Sequence, residues 1–328
     1  MAREGAGGRG TLLAAPPGPL GEFAKVRYVT FAPRDAPAAS RLGAIVGEAV
    51  VELAGADGLP ATMLGLLEAG PSGWEAAARV AEHGGRRWPR ADVLLHAPLP
   101  RPPSVRNFYA FERHVAASFA NRDKPVPPEW FEFPAFYFSN PGSIVGPEDQ
   151  VAAPPGSQAL DYELEVAIII GRRGRDIPAG EADHYIFGYS VLNDWSARDL
   201  QQREMRVGLG PAKGKDFATS LGPWVVTPDE LGKSSGRVGV YDLAMAARVN
   251  GVEKSRGRLA EIRYSFGEMI ARASSGVDLF PGDVLGSGTV GSGCLLELTR
   301  GKGPWLQPGD VVELEVERLG VLRNTVVA

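Results

Sequence analysis

The sequence has little of what marks several large classes of protein. Its 328 residues include one cysteine, Cys294, and four histidines. A single cysteine excludes an intrachain disulfide and a cysteine-rich metal site, and it fits a reducing compartment, for which the cytoplasm is the default prediction. No stretch approaches the ~18 consecutive apolar residues of a membrane-spanning helix, so no membrane partner is expected.

Neither sign of charge dominates the chain. It carries 35 Lys and Arg against 39 Asp and Glu, for a net charge of -4. This balance supplies no long-range attraction for a phosphate backbone, so nucleic acid is not expected as a partner. The hydrophobic content of 44% is ordinary for a globular protein with a sizeable core.

Shifts in composition divide the chain into three parts. Residues 1–24, rich in Gly, Ala and Pro, predict a flexible tail. Residues 25–100 mix strand-like runs with two helix-like segments, at Met63 to Leu67 and at Trp74 to Glu82, and predict a small N-terminal α+β domain. Four prolines then mark a stiff linker: Pro98, Pro100, Pro102 and Pro103.

Residues 101–328 predict a mainly β domain, so the chain as a whole is expected to be α+β. Strand-like segments alternate there with Pro-Gly turns. Two helices are expected, one near Ser196 to Arg206 and one near Ser265 to Ser274. A box-like Ser196-Ala197-Arg198-Asp199 predicts a capped start for the first of them. There is no internal repeat and no glycine loop of the Walker or dinucleotide type.

The most informative strand is the acidic run from Asp161 to Gly171. Its alternation places Glu163 and Glu165 on one face, together with Ala167 and Ile169. The run becomes apolar on both faces, which predicts burial, and buried neighbouring carboxylates repel each other and are costly to desolvate. A divalent cation is a natural compensation, because hard cations take carboxylate oxygens.

A solvated strand face is the alternative to a metal site. That alternative is expected for Glu313, Glu315 and Glu317, which alternate with apolar residues but have no second acidic segment. For Glu163 and Glu165, a third carboxylate favours the metal, because a strand-like run delivers Asp194 just before the predicted helix. Asp194 is also compatible with a simple role in a turn.

Four ordered motifs resemble the fumarylacetoacetate hydrolase family. They are Asp161-Tyr162-Glu163-Leu164-Glu165, Asn193-Asp194-Trp195-Ser196-Ala197-Arg198-Asp199, Gly214-Lys215-Asp216-Phe217 and Gly286-Ser287-Gly288-Thr289. The resemblance covers roughly residues 101–328. It implies that this part has the family's mixed β-sandwich or roll as its catalytic domain.

The resemblance also implies a metal site. In the family, the positions of Glu163, Glu165 and Asp194 bind Mg²⁺ or Ca²⁺. Fumarylacetoacetase has a fourth carboxylate where this chain has Asn107. Three carboxylates make the site less anionic, so Mg²⁺ is the expected ion, with Mn²⁺ or Ca²⁺ as alternatives.

Further residues match the family's catalytic positions. His114 corresponds to the base and Glu297 to the carboxylate that orients it, while Lys215 and Gln201 correspond to groups that hold developing negative charge. Five residues match substrate-binding positions: Tyr109, Arg122, Tyr137, Arg198 and Thr289. For Arg122 and the two tyrosines, packing within a lid is an equal alternative.

The resulting functional hypothesis is a metal-dependent hydrolase. It would cleave a carbon–carbon bond in a 1,3-diketo acid resembling fumarylacetoacetate or an acylpyruvate, with water activated by His114. Decarboxylation of an oxaloacetate-like acid, dehydration of a 2-keto-3-deoxy sugar acid and isomerisation use the same chelated enolate and stay open. A non-enzymatic metal-binding scaffold is a further alternative. The family also implies a homodimer that binds a small keto acid.

Overall fold

The structure is a computed structural model that describes residues 25–328, so the tail predicted for residues 1–24 lies outside the described residues. The strands are β1 Arg27–Pro33, β2 Arg41–Val46, β3 Ala49–Glu52, β4 Arg87–Pro89, β5 Val93–His96, β6 Val105–Phe108, β7 Phe136–Ser139, β8 Ile144–Val145, β9 Gln150–Ala152, β10 Leu160–Asp161, β11 Leu164–Ile170, β12 Gly174–Arg175, β13 Ile186–Asp194, β14 Ser196–Ala197, β15 Thr219–Val226, β16 Ala244–Val249, β17 Val252–Arg258, β18 Asp278–Leu279, β19 Val284–Gly286, β20 Val311–Val316 and β21 Gly320–Val327.

Helices are fewer than strands. The α-helices are α1 Met63–His83, α2 Glu112–Ala120, α3 Arg198–Val207, α4 Phe266–Ser274 and α5 Leu295–Leu298. Short 3-10 segments occur at Ala56–Gly58, Arg90–Asp92, Pro128–Phe131, Pro141–Ser143, Ala179–Tyr185, Pro228–Glu230 and Leu259–Glu261. The predicted mainly β, α+β fold class is confirmed.

A 12-stranded sheet forms the centre of the fold. Its strand order is β4-β3-β2-β1-β15-β13-β11-β19-β6-β7, with β5 also paired to β1 and β8 to β15. Most pairs are antiparallel, whereas β6 runs parallel to β19 and β8 parallel to β15. Strands from residues 25–100 thus continue the same sheet as strands from residues 101–328, through the β1–β15 pair. The division into domains stays a prediction.

A second sheet of five strands, in the order β17-β16-β20-β21-β9, packs on one face of the large sheet. The apolar residues of β11 show how two cores arise. Leu164, Val166 and Ile168 belong to the core shared with the second sheet. Ala167 and Ile169 point into the other core, which includes buried residues of α1. The predicted burial of both faces is confirmed, because every residue of β11 is buried.

Of the helix predictions, one is confirmed and one needs correction. The segments predicted at Met63 to Leu67 and Trp74 to Glu82 lie on either side of a break in α1 at Gly70, where φ is +68°, so two helical segments are present as predicted. The capping box predicted at Ser196 is wrong. Helix α3 has Ala197 as its N-cap with no side-chain hydrogen bond, because the Ser196 hydroxyl donates to the Asp194 carbonyl instead. A capping box is present at Ser265 and Glu268, at the start of α4.

Within residues 25–328, no helix combines the length and the apolarity that crossing a bilayer requires.

Candidate active site

Antiparallel pairing of β11 with β13 brings three carboxylates together. Glu165 lies in β11, Glu163 precedes it, and Asp194 ends β13. The register that pairs Leu164 with Asn193 places Glu163 opposite Asp194. One ligand oxygen from each of Glu163, Glu165 and Asp194 lies within 4.8 Å of the others, and all three residues are buried. The predicted trio therefore does converge.

Two buried cations compensate these carboxylates. The Lys215 ammonium donates to Glu163 Oε2 and to Asp194 Oδ2, at 2.7 Å in both cases. Arg198 Nη1 lies 2.8 Å from Glu163 Oε1. Buried ions are costly to desolvate unless they are paired, so these cations are part of what permits the acidic strand to be buried.

The three carboxyl groups respond differently to this environment. Burial, with Asp194 and Glu163 adding repulsion, raises the pKa of Glu165 well above its usual value. Burial also raises the pKa of Asp194, although Lys215 opposes the shift. For Glu163, burial acts upward as well, but Lys215 and Arg198, with a smaller contribution from His114, hold the pKa below its ordinary range. The cluster thus holds one firmly ionised carboxylate and two that retain protons more readily.

Strands β6 and β7 add two polar groups to the cluster. Asn107 is paired in register with Gly286 of β19 on one side and with Tyr137 of β7 on the other. The Asn107 amide donates to Asp194 Oδ2 at 2.8 Å and to Glu165 Oε1 at 3.2 Å. The Tyr137 hydroxyl donates to Asp194 Oδ2 at 2.5 Å. Asn107 is therefore a donor that holds Asp194 and Glu165 in place.

Two glycines allow this close approach. A Cβ on Gly286 would lie 2.4 Å from Asn107 Oδ1 and 3.0 Å from Glu165 Oε2. A Cβ on Gly214 would lie 2.7 Å from the Gln201 backbone nitrogen, so a larger residue there would push the segment that carries Lys215 away from α3. Both glycines belong to the motifs singled out from the sequence.

The donor set fits a divalent cation. It consists only of oxygens, which suits Mg²⁺, Mn²⁺ or Ca²⁺ better than a thiophilic metal. Two further oxygens in the cluster, Asp194 Oδ1 and Asn107 Oδ1, are buried without a hydrogen-bond partner. Such orphaned acceptors are rare in folded proteins and are satisfied when a cation binds. Glu163, Glu165 and Asp194 are the residues that would hold it.

A His–Glu pair lies near enough to the carboxylates for His114 to contribute to the lowered pKa of Glu163. His114 lies in α2 and Glu297 in α5, and His114 Nδ1 is 2.5 Å from Glu297 Oε1. Both side chains are nearly inaccessible. The Tyr109 ring packs edge-on against the imidazole, with 5.3 Å between ring centroids. A carboxylate at Nδ1 fixes the tautomer and the orientation of the imidazole, an arrangement typical of a general base.

Asp161 is a residue of this site to which the sequence analysis gave no role. Its carboxylate accepts hydrogen bonds from the backbone amides of Leu295 and Leu296, and it pairs with Arg198 Nη2 at 2.8 Å. Asp161 therefore links the helix that carries Glu297 to the arginine that contacts Glu163. Its position two residues before Glu163, on the same alternation, was the signal for it.

Three other predicted residues differ in their burial and in their contacts. Gln201 is half-buried, and its Oε1 accepts a hydrogen bond from Arg198. Thr289 is buried, and its hydroxyl has no partner within residues 25–328. Arg122 is exposed, packs over the Phe119 ring and donates to the Ser118 carbonyl. The substrate and catalytic roles of these residues stay predictions.

A family model and a known relative match the part of the chain that carries this site. The family model described as "Fumarylacetoacetate (FAA) hydrolase C-terminal" matches residues 104–327. Human "Oxaloacetate tautomerase FAHD2A, mitochondrial" is 34% identical over 271 residues, which cover 82% of this chain and 81% of the relative.

Two solved structures share the fold. The fumarylacetoacetate hydrolase from Exiguobacterium antarcticum superposes with a TM-score of 0.73 at 27% identity, covering 92% of this chain and 99% of that one. The maleylpyruvate hydrolase from Sphingobium sp. SYK-6, in complex with manganese(II) and pyruvate, superposes with a TM-score of 0.69 at 23% identity, covering 92% and 98%. The predicted fold type is confirmed.

The family model spans the carboxylate trio, the lysine and the His–Glu pair, and a relative above 30% identity covers most of the chain. Sequence motifs, site geometry and fold thus agree: the chain belongs to the fumarylacetoacetate hydrolase family and is an enzyme of that superfamily.

Proposed function

We propose that the chain catalyses metal-dependent keto–enol tautomerisation of an oxaloacetate-like 2-oxo acid. One observation carries the proposal: a buried His–Glu pair lies near enough to a cluster of oxygen ligands suited to a divalent cation for His114 to lower the pKa of Glu163. Tautomerisation requires a polarised carbonyl and a base that moves a proton between carbon and oxygen. The name of the human relative, an oxaloacetate tautomerase, favours this reaction among those that the site supports.

Each group has a defined role in this proposal. A cation held by Glu163, Glu165 and Asp194 would supply Lewis-acid polarisation of the substrate carbonyl. His114, whose Nδ1 is taken by Glu297, uses Nε2 to remove a proton from the carbon next to that carbonyl. The Lys215 ammonium supplies positive charge beside the enolate oxygen, with Gln201 as a further donor. His114 then delivers this proton to the carbonyl oxygen, and no bond between carbons is broken.

Hydrolytic carbon–carbon cleavage is the second candidate. The same His114–Glu297 pair favours it, because a base that can deprotonate carbon can also deprotonate water. The substrate would then be a 1,3-diketo acid such as an acylpyruvate, and attack of hydroxide on the distal carbonyl would release two fragments. Decarboxylation and sugar-acid dehydration use the metal and the enolate without an attacking hydroxide.

A substrate panel separates these reactions. Purified protein is given enol-oxaloacetate, an acylpyruvate, a fumarylacetoacetate-like diketone and a 2-keto-3-deoxy sugar acid, each with Mg²⁺ and with EDTA. Tautomerisation consumes enol absorbance without release of carbon dioxide, hydrolysis releases pyruvate from the acylpyruvate, and decarboxylation releases carbon dioxide. Because Mg²⁺ itself accelerates oxaloacetate chemistry, the Glu163→Gln variant at equal metal is the control. A tautomerisation rate no higher than that of this control would refute the first proposal.

Mg²⁺ is the proposed ion and a homodimer the proposed assembly. An all-oxygen donor set supports the first, and Mn²⁺ and Ca²⁺ are the alternatives that metal titration would reveal. Exposed apolar side chains at Phe138, Val207 and Leu209 support the second, because a partner surface would cover them. Light scattering that gives a monomer mass across a wide concentration range would contradict the dimer.

Cytoplasmic localisation stays a prediction, since the human relative is named as mitochondrial.

A further inference from the structure

A third side chain lies beside the His–Glu pair and has no part in the chemistry proposed above. Cys294 Sγ is 3.7 Å from Glu297 Oε1, the same oxygen that pairs with His114 Nδ1. The donor atoms of His114, Cys294 and Glu297 all lie within 4.8 Å of one another. Imidazole nitrogen, thiol sulfur and carboxylate oxygen together are a typical donor set for zinc.

These donors differ in kind from those of the carboxylate trio. The trio of Glu163, Glu165 and Asp194 offers only oxygen, the preference of hard cations, whereas sulfur and imidazole select thiophilic metals. The carboxylate trio is therefore expected to bind hard cations, and the group of His114, Cys294 and Glu297 is expected to bind thiophilic ones. A hard cation has little reason to enter the sulfur-containing group.

The spacing also suits a tetrahedral ion. Bonds of about 2.0 Å to nitrogen or oxygen and about 2.3 Å to sulfur place the ligand atoms roughly 3.3–3.6 Å apart around tetrahedral zinc. The distance of 3.7 Å between Cys294 and Glu297 is close to this range. His114 and Glu297, now 2.5 Å apart, would separate by about 1 Å to admit the ion. A solvent molecule would complete the coordination.

The protein backbone presents two of these ligands together. Cys294 is the N-cap of α5, and Glu297 lies within the same single turn. The Ser292 backbone amide donates to Glu297 Oε2, which leaves Oε1 directed at His114 and Cys294. The Leu295 and Leu296 amides are fixed by Asp161. The ligand triangle is thus held by contacts that do not depend on a metal.

We propose that His114, Cys294 and Glu297 form a separate site for a thiophilic divalent cation such as Zn²⁺, and that occupancy of this site inhibits the enzyme. On binding, the ion takes the place of the proton between His114 and Glu297, and both this proton and the Cys294 thiol proton are released to solvent. Inhibition follows because His114 and Glu297 can no longer exchange protons with a substrate. The inhibition rests on the proposed role of His114, whereas the binding does not.

Binding is tested without reference to activity. Full-length protein is first saturated with Mg²⁺ and then titrated with Cd²⁺, a spectroscopic substitute for Zn²⁺. We expect one equivalent to produce the ultraviolet charge-transfer band of a cadmium thiolate in the wild type and in Leu298→Ala, a change at an exposed position of the same helix. The Cys294→Ala and Cys294→Ser variants should lack the band. No thiolate band in folded wild-type protein would overturn the proposed site, whatever reaction the enzyme catalyses.

Inhibition is tested by turnover in excess Mg²⁺. Zn²⁺ should inhibit the wild type, and Cys294→Ala should raise the half-inhibitory concentration at least about tenfold, since loss of even an outer-shell partner costs that much affinity. Cys294→Ser provides a second variant if the alanine variant folds poorly. Inhibition that additional Mg²⁺ relieves, and that both cysteine variants retain, would mean that Zn²⁺ acts at the carboxylate trio instead, and would overturn the inhibitory role.

Discussion

Two strands of this protein carry the same Glu-x-Glu alternation in opposite surroundings. In β11 and the residue before it, Glu163 and Glu165 alternate with apolar residues, as Glu313 and Glu315 do in β20. Glu313 and Glu315 are half-buried at a sheet surface that faces solvent, while their apolar neighbours face the core. Glu163 and Glu165 are buried.

The difference comes from what covers each strand. Strand β11 lies inside the large sheet with a core on each face. Glu163 is paired there with the buried cations Lys215 and Arg198, and Glu165 accepts hydrogen bonds from the Asn107 amide and the Gly288 backbone. In β20, only one face is covered, and Glu315 pairs with the half-exposed Arg248. An acidic alternation therefore becomes a candidate ligand set only where the fold removes water from it.

The sharpest test of this contrast removes one carboxylate charge from each strand. Glu165→Gln should abolish metal binding and reduce turnover to the level that EDTA leaves, because a trio of ligands becomes a pair. Glu315→Gln should change neither metal binding nor turnover. A surface substitution rarely shifts stability by more than about 0.5 kcal/mol, so the fold that holds the trio should be kept. Calorimetric titration with Mg²⁺ and measurement of kcat check both. Full metal-dependent turnover in Glu165→Gln would show that the trio is not the metal site.

His114 acts electrostatically on Glu163 of the carboxylate trio, and removal of the His–Glu pair is expected to have the next largest effect. His114→Ala should lower turnover by roughly 10²–10⁴-fold, the usual scale for a general base, with metal affinity nearly unchanged. Glu297→Gln should cause a milder loss. The double variant should be little worse than His114→Ala alone, because the two residues act as one unit.

Leu298→Ala is the matched control for the helix that carries Glu297, and it should keep wild-type turnover. Losses that multiply in the double variant would indicate two independent roles. Near-normal turnover in His114→Ala would place the base elsewhere.

A third comparison removes the cation beside each strand and measures the change in the free energy of unfolding. Lys215→Met leaves buried carboxylates uncompensated and should reduce the free energy of unfolding of metal-free protein by roughly 3–5 kcal/mol. Arg248→Met, beside Glu315, should cost about 0–1 kcal/mol. Urea denaturation measures both. Added Mg²⁺ should restore part of the loss in Lys215→Met, because the ion supplies positive charge to the same oxygens; equal losses in the two variants would refute the contrast.

The smallest expected difference between the two strands concerns how the affinity for Mg²⁺ varies with pH. Burial, with Asp194 and Glu163, raises the pKa of Glu165, so in metal-free protein this carboxyl keeps a proton at pH values where an ordinary glutamate has lost it. Metal binding must release that proton. Affinity for Mg²⁺ should therefore fall by about tenfold for each pH unit below the raised pKa and level off above it.

Glu315→Gln should leave this profile unchanged, since its strand takes no part in binding. Titrations at a series of pH values provide the measurement. An affinity that stays constant from acid to neutral pH would mean that no carboxyl in the cluster binds a proton in competition with the metal.

The sequence alone determined the fold class and the burial of both faces of β11, because the apolar run marks a strand between two cores. The convergence of Glu163, Glu165 and Asp194 was implied by the family resemblance, and antiparallel pairing of β11 with β13 brings it about. The sequence also indicated the solvated face of β20. Each inference depends on neighbours in the chain and on motifs of fixed spacing.

Only the tertiary structure decided which distant groups complete the site. Asn107, 87 residues before Asp194, donates to it because β6 lies beside β19 in the large sheet. The Ser196 hydroxyl bonds to a carbonyl of the preceding strand rather than capping α3. Cys294 meets His114 only because α5 packs near α2. Hydrogen-bond partners across such separations depend on strand order and helix packing, which no local alternation of residues specifies.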